Sequence, residues 1–318
     1  MKIVILDGYT LNPGDLSWEP LSKFGTYKVY ERTPPELTLE RSFEADVLLT
    51  NKTVLSKELL DQLPNLKYIG VLATGYNVVD IEAARQRGIP VSNVPEYGTN
   101  AVNQMVFAHI LRYCHNVEGH NASVKKGEWE SNQDFCYWLT PQRDLSCLTL
   151  GLIGLGKIGA AVARTARTFG MKVVAHTSSG VNRSGIEEVE MMPLDSVLQQ
   201  ADIISLHCPL TPSTEGLINK SRLSLMKPSA FLINTGRGPL INESDLAEAL
   251  QKGIIAGAGV DVLTQEPPIK GSPLLLTSEC YITPHIAWAT HTARQRLMTV
   301  ALSNLEYFLA KQPKNIIN

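Results

Sequence analysis

Gly154-Leu155-Gly156-Lys157-Ile158-Gly159 is the stretch that decides the fold. It follows an apolar run, Leu148 to Ile153, and opens an Ala-rich segment of helical character, Ala160 to Phe169. A strand that ends on such a motif and passes straight into a helix aims backbone N–H groups and a positive helix end at a pyrophosphate. In this reading Gly154 makes the tight turn, Gly156 admits the phosphates and Gly159 lets the helix lie close to the strand. Lys157 and Ile158, in the first helical turn, join the three glycines as cofactor-binding candidates. A plain flexible turn is the alternative, and the strand and helix on either side disfavour it.

Outward from the motif, a βα rhythm runs in both directions. Downstream come Lys172 to His176, Asp202 to Leu206, Ala230 to Asn234, Ala256 to Val262 and Tyr281 to Thr283. Continuous apolar strands such as I-I-S-L and A-F-L-I-N predict a parallel sheet covered on both faces. Upstream, Lys2 to Asp7, Val47 to Thr50, Leu66 to Ala73 and Ile89 to Val94 read as strands spaced by helix-forming segments. One long helix is expected from about Asn100 to Val124, and an amphipathic one from Ala289 to Lys311. The fold class is therefore α/β with two Rossmann-like domains. A doubly wound cofactor domain, 99–286, is expected to be inserted in a flavodoxin-like substrate domain built from 1–98 and 287–318.

Composition narrows the function. The 318 residues carry a net charge of -2 and no basic run longer than Lys125-Lys126, so neither nucleic acid nor an anionic membrane is an expected partner. M-K-I-V-I-L-D-G turns acidic after four apolar residues and reads as a first strand instead of a signal peptide, and no apolar run is long enough to span a bilayer. Five cysteines without a C-x-x-C pair fit reduced thiols in a cytoplasm, with no metal site expected.

Three segments supply chemistry: I-N-T-G-R-G (Ile233 to Gly238), G-V-D-V-L-T-Q-E-P (Gly259 to Pro267) and I-T-P-H-I-A-W (Ile282 to Trp288). Each places polar residues at or beyond the carboxyl end of a predicted strand, where open α/β sheets bind ligands. Arg237 offers a two-pronged grip on a carboxylate that Lys does not reproduce. His285 can give a proton to a carbonyl oxygen as hydride reaches its carbon. Glu266 beside the imidazole would fix its tautomer and favour its charged form. Singly, each of the three has an ordinary reading as a loop or strand-end residue. Together, downstream of the glycine motif, they point to reduction of a 2-oxo acid.

With A-T-G-Y-N-V-V-D (Ala73 to Asp80), S-N-V-P-E-Y-G-T (Ser92 to Thr99), L-H-C-P-L-T-P-S-T (Leu206 to Thr214) and L-M-K-P-S-A-F-L-I-N-T-G-R-G (Leu225 to Gly238), the chain resembles the D-isomer-specific 2-hydroxyacid dehydrogenases over essentially its full length. The resemblance implies a catalytic set of Arg237, Glu266 and His285. It further implies cofactor contacts from Thr74, Cys208, Pro209, Thr214 and Thr235, and recognition of the nicotinamide carboxamide by Asp261. Backbone N–H groups near Thr74 and Gly75 would bind the substrate carboxylate. F-C-Y-W (Phe135 to Trp138) and P-H-I-A-W-A-T look most like the glycerate dehydrogenases, also called hydroxypyruvate reductases, which adds Trp288 and Trp138 to the substrate-binding candidates. In that subgroup an aromatic from the neighbouring subunit can cap the active site, so a homodimer is expected. A broad, D-lactate-type 2-keto acid reductase and a nucleotide-sensing scaffold like the C-terminal-binding-protein corepressors are the competing readings.

One departure from the family pattern concerns the cofactor. The acid that binds the adenosine ribose hydroxyls should fall near position 177, yet the sequence there is H-T-S-S-G-V-N-R-S. Thr177, Ser178, Ser179 and Arg183 offer hydroxyls and a cation, a set that suits a 2′-phosphate and leans toward NADP over NAD.

Overall fold

A computed structural model describes residues 1–182, 185, 186 and 188–318; Arg183 lies outside the described residues. The chain forms two compact units, Met1–Gly98 with Ala289–Asn318, and Thr99–Trp288.

The first unit is built on a parallel sheet of β1 (Lys2–Ile5), β2 (Thr26–Val29), β3 (Val47–Thr50), β4 (Tyr68–Val71) and β5 (Val91–Ser92), in the order β2-β1-β3-β4-β5. This is the flavodoxin-like order. The central strands β3 and β4 are buried along their whole length, and Leu48, Ile69, Val71 and Val91 pack with Leu55, Leu60 and Leu63 from the connections. Strand β2, T-Y-K-V, has no counterpart in the sequence reading. It is an edge strand with a half-exposed, alternating pattern, and its lysine is the kind of residue that keeps an edge from pairing further. At the switch between β1 and β3, the Asp7 carboxylate accepts the N–H groups of Asn51, Lys52 and Thr53, folding the loop after β3 around itself.

The chain's last segment completes this unit. Helix His291–Leu309 is capped by Thr290, whose hydroxyl accepts from Ala293 N–H. Arg294 forks onto Asp15 at 2.7 and 2.6 Å, and its guanidinium holds that carboxyl down at about 2. Beyond the helix, Ile316 bridges Ser92 antiparallel, Ile317 N–H donates to Val91, and the Asn318 side chain accepts from Val91 N–H while donating to Ile89. The last residues thus lie against β5 through an isolated antiparallel bridge.

The second unit carries seven parallel strands: β6 (Thr149–Ile153), β7 (Lys172–His176), β8 (Glu190–Met191), β9 (Ile203–Leu206), β10 (Phe231–Asn234), β11 (Gly257–Val260) and β12 (Cys280–Ile282). Their order is β12-β11-β10-β9-β6-β7-β8, a doubly wound sheet whose direction reverses between β6 and β9. Successive residues feed opposite cores. Ile203, Phe231 and Ile233 join one apolar cluster, Ile204, Leu206 and Leu232 the other, which is why these strands read as unbroken apolar runs.

The single long helix expected over 100–124 is two helices, Thr99–His115 and Val117–Lys125. They part at Asn116, which takes φ 43°, in the left-handed region that Asn tolerates better than most residues. His109 on the first of them is buried against Gly259, and burial pushes its pKa down. Among the described residues, no helix is long and apolar enough to cross a membrane.

Candidate active site

The three motif glycines each meet a different steric demand. Gly154 has φ 99°, and a Cβ there would come within 2.6 Å of the Cys208 backbone nitrogen. A Cβ on Gly159 would lie 2.3 Å from the Gly154 carbonyl oxygen, so the helix Lys157–Thr168 can approach β6 only without a side chain. At Gly156 a Cβ would meet nothing within 4 Å. The space in front of it is open, and as the helix N-cap it offers no side chain to the first N–H groups. The start of a twelve-residue helix whose N-cap residue carries no side chain, beside an open backbone and at the β6/β9 switch point, fits a pyrophosphate.

Arg237, Glu266 and His285 follow three strands that are neighbours in the sheet, β10, β11 and β12. Glu266 and His285 meet directly, with His285 Nδ1 2.6 Å from Glu266 Oε2. A carboxylate only accepts, so Nδ1 carries the hydrogen and Nε2 is the nitrogen left to exchange a proton. Glu266 is itself steadied by Leu263 N–H, which donates to Oε1 at 3.0 Å. Both side chains are about one-third exposed, open enough for a ligand to reach. Arg237 is exposed, one of its nitrogens donating to the Gly236 carbonyl at 2.8 Å. Next to it, Gly238 packs so tightly on the Leu263–Thr264 backbone that a Cβ would fall 2.0 Å from the Leu263 carbonyl carbon. That contact holds the Arg237 turn against the loop that leads to Glu266.

His285 takes φ 55°, unusual for a residue with a side chain. Its N–H donates to the carbonyls of Asp261 and Thr283 at 2.8 and 3.0 Å. The Asp261 carboxylate, 1% exposed, accepts from the Thr283 hydroxyl at 2.5 Å and from the N–H groups of Ile286 and Ala287 at 2.9 and 2.8 Å. Asp261 is therefore the anchor of the His285 turn, a use the sequence reading lacked. Oδ1 accepts twice and Oδ2 once from these groups.

The other candidates are placed as follows. Cys208 and Pro209 begin the loop after β9, beside Gly154. Thr214 closes that loop, donating to the Pro209 carbonyl at 2.7 Å and accepting from Thr211 N–H at 2.8 Å, so its hydroxyl shapes the loop. Thr235, just past β10, has a buried hydroxyl without a partner among the described residues. Thr177, Ser178 and Ser179 form a turn at the end of β7, with Gly180 N–H donating to the Thr177 carbonyl at 2.9 Å. Trp138, 67% exposed, lies in the same unit as the His285 turn, and Trp288 ends that unit. Thr74 and Gly75 follow β4 in the first unit.

Residues 107–287 match the model of the D-isomer specific 2-hydroxyacid dehydrogenase, NAD binding domain. The chain belongs to this family. Over 322 residues it is 47% identical to a hydroxypyruvate reductase of Blautia hydrogenotrophica, and all of both chains is covered. A glycerate dehydrogenase of Methylorubrum extorquens is 38% identical over 319 residues, covering 99% of this chain and 98% of its own. Among solved structures, an acyclic imino acid reductase in complex with NADPH and D-Arg superposes with a TM-score of 0.87 at 32% identity, the whole of both chains being covered. This D-2-hydroxyacid dehydrogenase is thus an oxidoreductase that uses a nicotinamide cofactor and acts on a small 2-oxo or 2-hydroxy acid.

Proposed function

We propose that the enzyme reduces hydroxypyruvate and glyoxylate to D-glycerate and glycolate, with Arg237, Glu266 and His285 as its catalytic set. The observation that carries this reading is the 2.6 Å His285–Glu266 pair on the loops after β12 and β11, beside the strand whose turn bears Arg237. A reduced nicotinamide, when bound, would supply the hydride for the substrate's carbonyl carbon. Arg237 grips the carboxylate with its planar fork and draws electron density from the adjoining carbonyl. The imidazolium of His285 gives its Nε2 proton to the carbonyl oxygen, while Glu266 keeps Nδ1–H engaged so that the ring presents only Nε2. In the reverse direction neutral His285 takes the hydroxyl proton back through the same nitrogen. The paired N–H groups of Thr74 and Gly75 are assigned to the substrate carboxylate, and Trp288 to its surroundings.

A panel of glyoxylate, hydroxypyruvate, pyruvate and bulkier 2-oxo acids tests the substrate assignment. Hydroxypyruvate and glyoxylate should give the highest kcat/KM. A preference for pyruvate or a branched 2-oxo acid by about tenfold or more, equivalent to one missing or misfitted small group, would contradict it.

For the cofactor, NADPH is proposed to serve at least as well as NADH. Thr177, Ser178 and Ser179 put hydroxyls and no carboxylate at the end of β7, and a structurally similar reductase was solved with NADPH. A carboxylate at 177 would accept from the free ribose hydroxyls and repel a 2′-phosphate. Thr177→Asp should therefore move the NADPH/NADH ratio of kcat/KM toward NADH by about tenfold, a difference of ~1.4 kcal/mol. An unchanged ratio would place cofactor choice elsewhere.

A homodimer is proposed, and the surface of the second unit supports it. Val117, Trp129, Phe135, Trp138 and Leu139 are all exposed, Phe135 at 89%, and exposed apolar side chains of this kind suit a face that a partner covers. A second copy is proposed to cover them and to bring Trp138 to its partner's substrate site. The unpaired state of all five cysteines supports a cytoplasmic location.

A further inference from the structure

The Thr74–Gly75 turn is held by Asn93 and Val94, and Asn93 is held in turn by residues near the other end of the chain. Val94 N–H donates to the Ala73 carbonyl at 3.0 Å, and Asn93 Nδ2 donates to the Thr74 carbonyl at 2.7 Å. The Thr74 hydroxyl in turn donates to the Val94 carbonyl at 2.8 Å. Both peptides are trans, and in a planar trans peptide the C=O and the following N–H point in opposite directions. Two successive carbonyls fixed toward Asn93 and Val94 therefore turn the N–H groups of Thr74 and Gly75 the other way. Those two N–H groups donate to no described residue. Neighbouring backbone donors that face outward together favour an anion.

Asn93 is itself set from behind. Its N–H donates to the Asn315 carbonyl at 3.2 Å, and its carbonyl accepts from Asn304 Nδ2 at 2.9 Å. Asn304 is 2% exposed on the helix His291–Leu309, and its Oδ1 accepts from Asn315 Nδ2 at 2.8 Å. The Asn304 amide donates from its nitrogen to one partner and accepts at its oxygen from another. A leucine at 304 would leave the Asn93 carbonyl and the Asn315 amide without those bonds. Asn315 is held in turn by the C-terminal segment, through the Ile316–Ser92 bridge and the Asn318 contacts with Ile89 and Val91.

We infer that Asn93, Asn304 and Asn315 form a positioning relay through which the C-terminal segment aims the N–H groups of Thr74 and Gly75, and so sets the affinity for the 2-oxo acid. The relay presupposes the carboxylate role proposed above for that turn. None of the three amides touches substrate. A backbone grip on the carboxylate acts alike on the ground state and the transition state, so loosening it raises KM and spares kcat.

Asn93→Ala, Asn304→Leu and the double variant, assayed with glyoxylate and hydroxypyruvate, test the relay. Each single variant should raise KM about tenfold, the loss of roughly one well-placed hydrogen bond, with kcat within about twofold of wild type and the affinity for reduced cofactor unchanged. Because both act through one turn, the double variant should resemble either single, a non-additive result. Effects that multiply, an unmoved KM, or a joint fall of kcat and cofactor affinity would overturn the relay in favour of plain structural support. Should Asn304→Leu not fold, Asn315→Ala takes its place in the same cycle. Wild-type turnover of glyoxylate separates the two levels: a wild type without it would overturn the carboxylate reading and the relay together, whereas an active wild type with unmoved variants overturns the relay alone.

Discussion

His285→Gln should slow the reduction of hydroxypyruvate by at least about 10²-fold while leaving the reduced cofactor bound, because a glutamine amide can donate a hydrogen bond but cannot surrender a proton. The substitution keeps a polar side chain of similar reach next to Glu266, so the loss isolates proton transfer from packing. Positioned acid catalysts typically contribute about 10²- to 10⁴-fold, which sets the lower bound. The backbone of the turn should survive, since His285 N–H and the Asp261 carboxylate hold it through bonds that do not involve the imidazole. Steady-state kinetics with a parallel cofactor titration provides the check. A variant that retains near-normal kcat would remove His285 from the mechanism.

Arg237→Lys is the second large effect. It should raise KM and lower kcat together, with a total loss of a few kcal/mol in transition-state stabilisation, on the order of a buried charged hydrogen bond. Lysine keeps the charge but presents it at one point, whereas the guanidinium presents parallel N–H groups to both carboxylate oxygens. One Arg237 nitrogen is already engaged with the Gly236 carbonyl, which orients the fork instead of leaving it to rotate in solvent. An unchanged kcat/KM in the lysine variant would mark Arg237 as an ordinary loop residue.

The sequence made the motif and the buried strands legible because both write a strong local signal. Gly154, Gly156 and Gly159 stand between an apolar run and an Ala-rich helix, and two-sided burial makes β9 and β10 continuously apolar. Glu266 and His285 were readable as chemistry by residue type and position at strand ends. Weaker or non-local features were not. Strand β2 and the two-residue β8 carry charged edge residues and little apolar pattern. The break at Asn116 depends on one backbone dihedral that leaves the surrounding helical periodicity intact. For Asp261 the family resemblance implies a cofactor contact, and nothing along the chain shows its structural bonds. Its buried bonds to Thr283, Ile286 and Ala287 exist only once β11 and β12 lie side by side. The amides of Asn93, Asn304 and Asn315 are more than 200 residues apart in part, so no window along the chain brings them together.

Oxidation of NADPH and NADH by purified enzyme in the presence of hydroxypyruvate, with the product resolved by chirality, tests the central claim most directly. Sustained turnover to D-glycerate, reduced at least about 10²-fold by His285→Gln, is the predicted result. Binding of reduced cofactor without turnover of hydroxypyruvate or glyoxylate, or formation of the L product, would contradict it.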